Sequence, residues 1–167
     1  MSISFLPRLI TDELTDLTPE LLRSLGIRLL MMDFDNTIVP YTTDVPTEKM
    51  AQWLAMMAAS DLQICVVSNS KNDRVKIFCT KYGIPVIVRA KKPGTKGIKE
   101  ALARFEVKPK DAALVGDQIF TDTLGANRAG VSAILIRAID NHNIWLKLRH
   151  VAELPFIFAS RKRRITK

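Results

Sequence analysis

Apolar positions gather into five short runs, at residues 27–32, 62–67, 84–88, 112–115 and 131–136, each bounded by polar or turn-forming residues. A run that is apolar throughout, rather than at alternate positions, fits a strand covered on both faces, as in a parallel sheet. Between the runs the period changes. Met50, Trp53, Leu54 and Met57, then Val75, Phe78, Cys79 and Tyr82, then Ile98, Ala101, Leu102 and Phe105 recur at the spacing of a helix with one buried face. Strands alternating with such helices predict an α/β chain: five parallel strands, doubly wound, with helices on both faces in three layers. A further helix precedes the first run, with Thr18 as N-cap, Pro19 as first helical residue and Gly26 just past its end. The last crossover, 122–129, is short and is stopped by Gly130. Nothing divides the chain internally, so residues 1–160 are expected to form one domain, followed by a disordered basic tail at 161–167.

Doubly wound sheets bind ligands beyond the carboxyl ends of their strands, so the residues delivered there matter most. The first run ends in Asp33-Phe34-Asp35-Asn36-Thr37 and the second in Ser68-Asn69-Ser70. Lys91-Lys92-Pro93 follows the third, and the fourth ends in Gly116-Asp117-Gln118-Ile119-Phe120-Thr121-Asp122. Any one of these segments reads as an ordinary turn, since Asp, Asn and Ser are common there. Acids, a hydroxyl and a lysine converging from four strand ends read as a site.

Composition narrows the class. With 167 residues, 47% hydrophobic and 25% charged, the chain has enough apolar surface to build a core, which excludes disorder. No apolar run reaches the roughly 18 residues of a spanning helix. The start, MSISFLPRLI, lacks a basic region followed by a long apolar one, so a cytoplasmic, unexported protein is expected. Cys65 and Cys79 form no CxxC pair and lie in apolar segments, as reduced core residues would. Of the net charge of +8, five units sit on Arg161, Lys162, Arg163, Arg164 and Lys167, leaving +3 on the body. An anionic partner or substrate is compatible with that balance.

Asp33 and Asp35 would lie on one side of the chain if strand geometry persisted, and two carboxylates that close need a cation or a shared proton. Asp117 and Asp122 supply further oxygens, and no His or Cys is at hand, so a hard divalent ion such as Mg2+ fits better than zinc. His142 and His150 stand isolated and read as surface or packing residues. An ion beside a carboxylate, a lysine and a hydroxyl supports phosphoryl transfer: Asp33 attacks phosphorus, Asp35 protonates the leaving oxygen and then activates water, and Lys92 and Ser68 meet the phosphoryl oxygens. Gly94-Thr95-Lys96-Gly97 lacks the spacing of a phosphate-binding P-loop and reads as a turn and helix start.

Asp33-x-Asp35-x-Thr37, Ser68, Lys92-Pro93 and Gly116-Asp117 with Asp122 resemble, in order and spacing, the four motifs of the haloacid dehalogenase superfamily. The resemblance implies a Rossmann-like fold and a phosphatase. It implies Asp33 as nucleophile and metal ligand, Asp35 as acid and base with its backbone carbonyl on the metal, and Asp117 on the metal. Thr37 would hold the first loop, Ser68 and Asn69 the phosphate, and Lys92 the nucleophile and phosphoryl group. Asp122 would act through water or by positioning the lysine. Lys91 competes with Lys92, which is preferred because it directly precedes Pro93 and because neighbours in an extended segment point oppositely. The phrases FLPRL, DFDNTIVPY, KKP and GDQIFTD followed by LGANRAG look most like the capless subfamily IIIA and its YqeG-type branch, related to the phosphatidylglycerophosphate phosphatases.

Residues 38–67 and 71–91 leave no room for a cap domain, so the site should be open, and the phosphate should sit on something large or surface-presented, or another subunit should cover it. A lipid phosphate would account for the apolar and basic residues of 143–158 and for the tail, through peripheral contact at the inner face of an anionic membrane; packing of that segment on the sheet is the alternative. Three functions follow: a Mg2+-dependent phosphomonoesterase acting on phosphatidylglycerophosphate; a capless phosphatase for a phosphoprotein, a nucleic-acid end or a soluble sugar or nucleotide phosphate; and a non-catalytic basic binding protein. The filled catalytic positions weigh against the last, and nucleic acid is not an expected partner.

Overall fold

The computed structural model describes residues 4–140 together with Pro155. The sequence readings at His142, His150, 143–158 (Pro155 apart) and the tail lie outside the described residues. Within them, all strands run parallel in a six-stranded sheet. In chain order the elements are β1 (Leu9–Ile10), α1 (Pro19–Ser24), β2 (Leu29–Met32), α2 (Glu48–Ala58), β3 (Gln63–Val67), α3 (Asp73–Lys81), β4 (Val86–Ile87), α4 (Lys96–Arg104), β5 (Ala112–Gly116), α5 (Leu124–Ala129) and β6 (Ser132–Leu135). The spatial order is β1-β6-β5-β2-β3-β4. From β2 the chain winds outward through β3 and β4, then returns to β5 on the other side, so the winding reverses between β2 and β5. That reversal is where such sheets open a crevice for ligands.

The strands are apolar throughout because both faces are covered. Leu30 and Met32 of β2 pack with Trp53, Leu54, Met57, Val75 and Phe78 of α2 and α3. Leu29 and Met31, on the alternate positions, pack with Ile98, Ala101, Leu102 and Ala126 of α4 and α5. The helices begin where the sequence supplies caps. Thr18 accepts the Leu21 amide at 3.3 Å and Thr47 that of Met50 at 3.2 Å. Gly26 and Gly130 take positive φ past the ends of α1 and α5. Cys65 and Cys79 are free and buried, and burial pushes both thiols up to about 12.

Two expectations are corrected. The sheet has six strands rather than five, because β1 adds an edge: Leu9 and Ile10 pair with Ile134 and Leu135, and the Arg8 and Thr11 amides donate to Ala133 and Leu135 at 2.8 and 3.0 Å. A two-residue strand behind Pro7 is too short to show a period of its own. The last crossover begins earlier than residue 122, since a π-helical turn over Ile119–Thr123 leads into α5.

Candidate active site

The first loop continues the β2 ladder by one bond, the Asp33 amide to the Val115 carbonyl at 2.9 Å, and then turns sharply. Ile38 donates back to Phe34 at 3.0 Å, and Asn36, at φ 60°, donates to Val39 at 2.8 Å. Strand alternation therefore ends at Met32, and Asp33 and Asp35 part company. Asp33 is buried and faces Lys92, while the half-buried Asp35 turns to Arg74, with Arg74 Nη1 2.7 Å from its Oδ1. The condition for both carboxylates to lie on one side, that strand geometry persists, is not met beyond Asp33.

Lys92 sits at the centre. Its Nζ lies 2.6 Å from Asp33 Oδ1 and 2.7 Å from Asp122 Oδ1, with the side chain 1% exposed. Burial alone would lower the ammonium's pKa, but the charges of Asp122 and Asp33 more than offset it, so the pKa is raised and the lysine stays charged. Lys91 is exposed, at φ 58°, and its carbonyl accepts the Gly94 amide at 2.7 Å. The geometry brings Lys92 and not Lys91 to Asp33. Asn69 explains how the lysine is aimed: its amide nitrogen donates to the Lys92 carbonyl at 2.9 Å and its oxygen accepts the Lys92 amide at 2.6 Å. The Asn69 side chain thus brackets the Lys92 backbone. Ser68 is buried, and its hydroxyl accepts the Ser70 amide at 3.0 Å.

Asp117 follows β5, and Asp122 returns from the π-helical turn, with its Oδ2 accepting the Gln118 amide at 3.2 Å. Asp33, Asp117 and Asp122 each offer a carboxylate oxygen, all within 4.8 Å of one another. Three acids beside one ammonium leave net negative charge in a buried place, and hard oxygen donors suit a divalent cation. Burial, with Asp33 nearby, pushes Asp122 up to about 6 although Lys92 opposes it. Asp35 is also raised, by burial first and by Asp33, against the pull of Arg74. Its side chain takes no part in the acidic group, whereas Asp122, read as supporting, does.

Thr37 is buried, and its Oγ1 finds no partner among the described residues. It borders a cavity of about 500 Å³ walled by Leu14, Ile38, Met50, Ile136 and Ile139, next to the first loop. The residue missed from sequence is Arg74. A cation in the first turn of α3 opposes the helix dipole, and that misfit was the available signal. Its partners are Asp35, Asp44 and the carbonyls of Pro40 and Thr43.

The chain is similar to known proteins in sequence and in fold. The family model described as mitochondrial PGP phosphatase matches residues 2–139. The chain is 35% identical over 132 residues to the "Probable phosphatase YqeG" of Bacillus subtilis, covering 79% of this chain and 77% of that protein. It is 32% identical over 127 residues to the mitochondrial phosphatidylglycerophosphatase GEP4 of Saccharomyces cerevisiae, covering 67% and 68%. Among solved structures, the cobalt-bound deoxy-D-mannose-octulosonate 8-phosphate phosphatase of Haemophilus influenzae superposes with a TM-score of 0.53 at 12% identity, over 74% of this chain and 75% of that one. At that identity the likeness concerns the fold.

Proposed function

This chain belongs to the mitochondrial PGP phosphatase family and is a phosphatase of the haloacid dehalogenase superfamily, and from that premise we propose a Mg2+-dependent phosphomonoester hydrolase acting through an aspartyl-phosphate on Asp33, with phosphatidylglycerophosphate as substrate. The observation that carries the chemistry is the buried contact of Lys92 with Asp33 and Asp122 at the point where the sheet reverses. A free Asp33 oxygen attacks phosphorus, the bond from phosphorus to the leaving oxygen breaks, and Asp35 gives that oxygen its proton. Water then attacks the phosphoryl group, its proton passes to Asp35, and the bond to Asp33 breaks to release phosphate. Lys92 holds the nucleophile and, with the Ser68 hydroxyl, meets the phosphoryl oxygens. Asp33 and Asp117, with the Asp35 backbone carbonyl, would hold the ion, and Asp122 positions Lys92. When bound, the ion neutralises charge on the phosphoryl oxygens.

The substrate assignment draws support from the family description, from the name of the yeast relative and from the short segments after β2 and β3, which hold no cap domain. A lipid headgroup at a membrane surface is large enough to need no lid, and peripheral contact with the anionic inner face belongs to this proposal. Among the described residues no helix is long and apolar enough to cross a membrane.

Turnover of p-nitrophenyl phosphate with Mg2+ should vanish in EDTA and fall by about 10³-fold or more in Asp33→Asn. Phosphatidylglycerophosphate in anionic liposomes should exceed sugar phosphates, nucleotides and phosphopeptides in kcat/KM. A soluble metabolite that wins by orders of magnitude would replace the lipid.

A further inference from the structure

Arg74 is the second residue of α3, and every nitrogen of its guanidinium is engaged. Nη1 meets Asp35 Oδ1 at 2.7 Å and Nε meets Asp44 Oδ1 at 2.5 Å. Nη2 donates to the carbonyls of Pro40 and Thr43 at 3.2 and 3.0 Å. The plane also lies over the Phe34 ring, 5.2 Å from Cζ to the centroid. One side chain thus ties α3 both to Asp35 and to residues 40–44 of the segment that follows the first loop. A cation at a helix start works against the dipole, and two carboxylates offset that cost here. Asp35, in turn, has no other side-chain hydrogen-bond partner among the described residues: Arg74 holds Oδ1, and Oδ2 is left without a protein partner there.

We propose that Arg74 is a positioning residue that aims the Asp35 carboxyl at the leaving-group oxygen while fastening residues 40–44 beside the site. This rests on the phosphatase reading of Asp33 and Asp35. The arrangement suits a planar fork: a guanidinium grips Asp35 on one edge and Asp44 on another, which a lysine's single ammonium cannot do. A carboxyl held by one oxygen keeps its other oxygen in a constant direction, and general acid catalysis is worth roughly 10²–10⁴-fold only when that direction is right.

The need for an aimed acid depends on the leaving group. A nitrophenolate departs as a stable anion, whereas an alkoxide must be protonated as it leaves. The test therefore compares kcat/KM for p-nitrophenyl phosphate and benzyl phosphate, two esters of similar size that differ in leaving group. The parameter covers the steps up to departure, and the ratio within one preparation cancels any loss of folded enzyme. Arg74→Gln should lower the benzyl ester at least tenfold more than the nitrophenyl ester. Asp35→Asn should show the same selective loss, and the double variant should be no worse than Asp35→Asn alone. Arg74→Lys should fail to restore the benzyl ester, and Asp44→Asn, which loosens only the fastening, should scale both esters equally. Equal loss on the two esters in Arg74→Gln, with Asp33→Asn inactive, overturns the inference alone. If Asp33→Asn retains both activities, the phosphatase chemistry assigned to these residues falls and takes the inference with it.

Discussion

Gly116 shows how tightly single residues are set around the site. A Cβ there would stand 2.3 Å from Asp122 Oδ2 and 2.4 Å from its Cγ, so alanine must displace the carboxylate that pairs with Lys92. Gly116→Ala is expected to cost at least tenfold in kcat with the far-ultraviolet circular dichroism of the native fold. Gly130 is the contrast: its φ is 75° but the nearest atom to a Cβ is 3.8 Å away, so Gly130→Ala should cost about 1 kcal/mol by denaturant titration and spare kcat. Equal kinetics for the two variants would contradict the placement of Asp122. Residue identity at the site was legible because acids, Ser68 and Lys92 stand at strand ends, a position the apolar runs mark out. The direction of side chains was not. Asp35 parts from Asp33 because the loop turns at residue 34, and Asn69 brackets a backbone 23 residues away, a pairing no local pattern encodes. Arg74 left a trace only as a cation in an unfavourable place.

At the scale of elements, strands buried on both faces announce themselves as unbroken apolar runs, and helices covering one face by their period, so four of the five expected strands stand close to where the runs predict. The run 84–88 shrinks to Val86–Ile87 because Pro85 has no amide to give a ladder and the Ile84 amide instead closes the end of α3 on Cys79 at 2.8 Å. β1 exists by virtue of β6 rather than of its own sequence. Helix placement carries the lysine as well. At the start of α4, a Cβ on Gly97 would lie 2.6 Å from the Ala90 Cβ and 2.8 Å from its Cα, so α4 rests directly on the segment that leads to Lys92. Backbone cannot yield as a flexible side chain does, and Gly97→Ala should destabilise by about 1–3 kcal/mol in chemical denaturation and reduce turnover together. An unaltered midpoint would show that α4 and this segment are free to separate. The buried cysteines of β3 and α3 should resist a thiol reagent until the protein unfolds, since burial keeps both protonated.

For the molecule as a whole, a charged cluster at the centre of the sheet edge links stability to pH and to metal. Lys92, raised by its two acids, contributes stability that is fully present below its unfolded pKa and therefore across the neutral range. Asp122 and Asp35 are raised too, so without metal their contribution is complete at low pH; for Asp122 it is lost as pH rises through about 6. An ion held by Asp33 and Asp117 would be favoured by the ionised form of the neighbouring Asp122, so protonation of Asp122 competes with it near pH 6 rather than near pH 4. Stabilisation by a ligand held at about 100 times its Kd is about 2.7 kcal/mol, which for a chain of this size is a rise in Tm of about 5–10 °C. That rise, measured by differential scanning calorimetry with saturating Mg2+, should be full at pH 7.5 and mostly lost at pH 5. Calorimetric titration near pH 6 in buffers of different ionisation enthalpy should show protons released on binding. Asp122→Asn removes the group that competes for the proton, so its metal-induced rise, whatever its size, should lose much of its dependence on pH. A rise in the unaltered protein that is the same at pH 5 and pH 7.5 would mean that the ion does not engage the buried acids that the fold brings together.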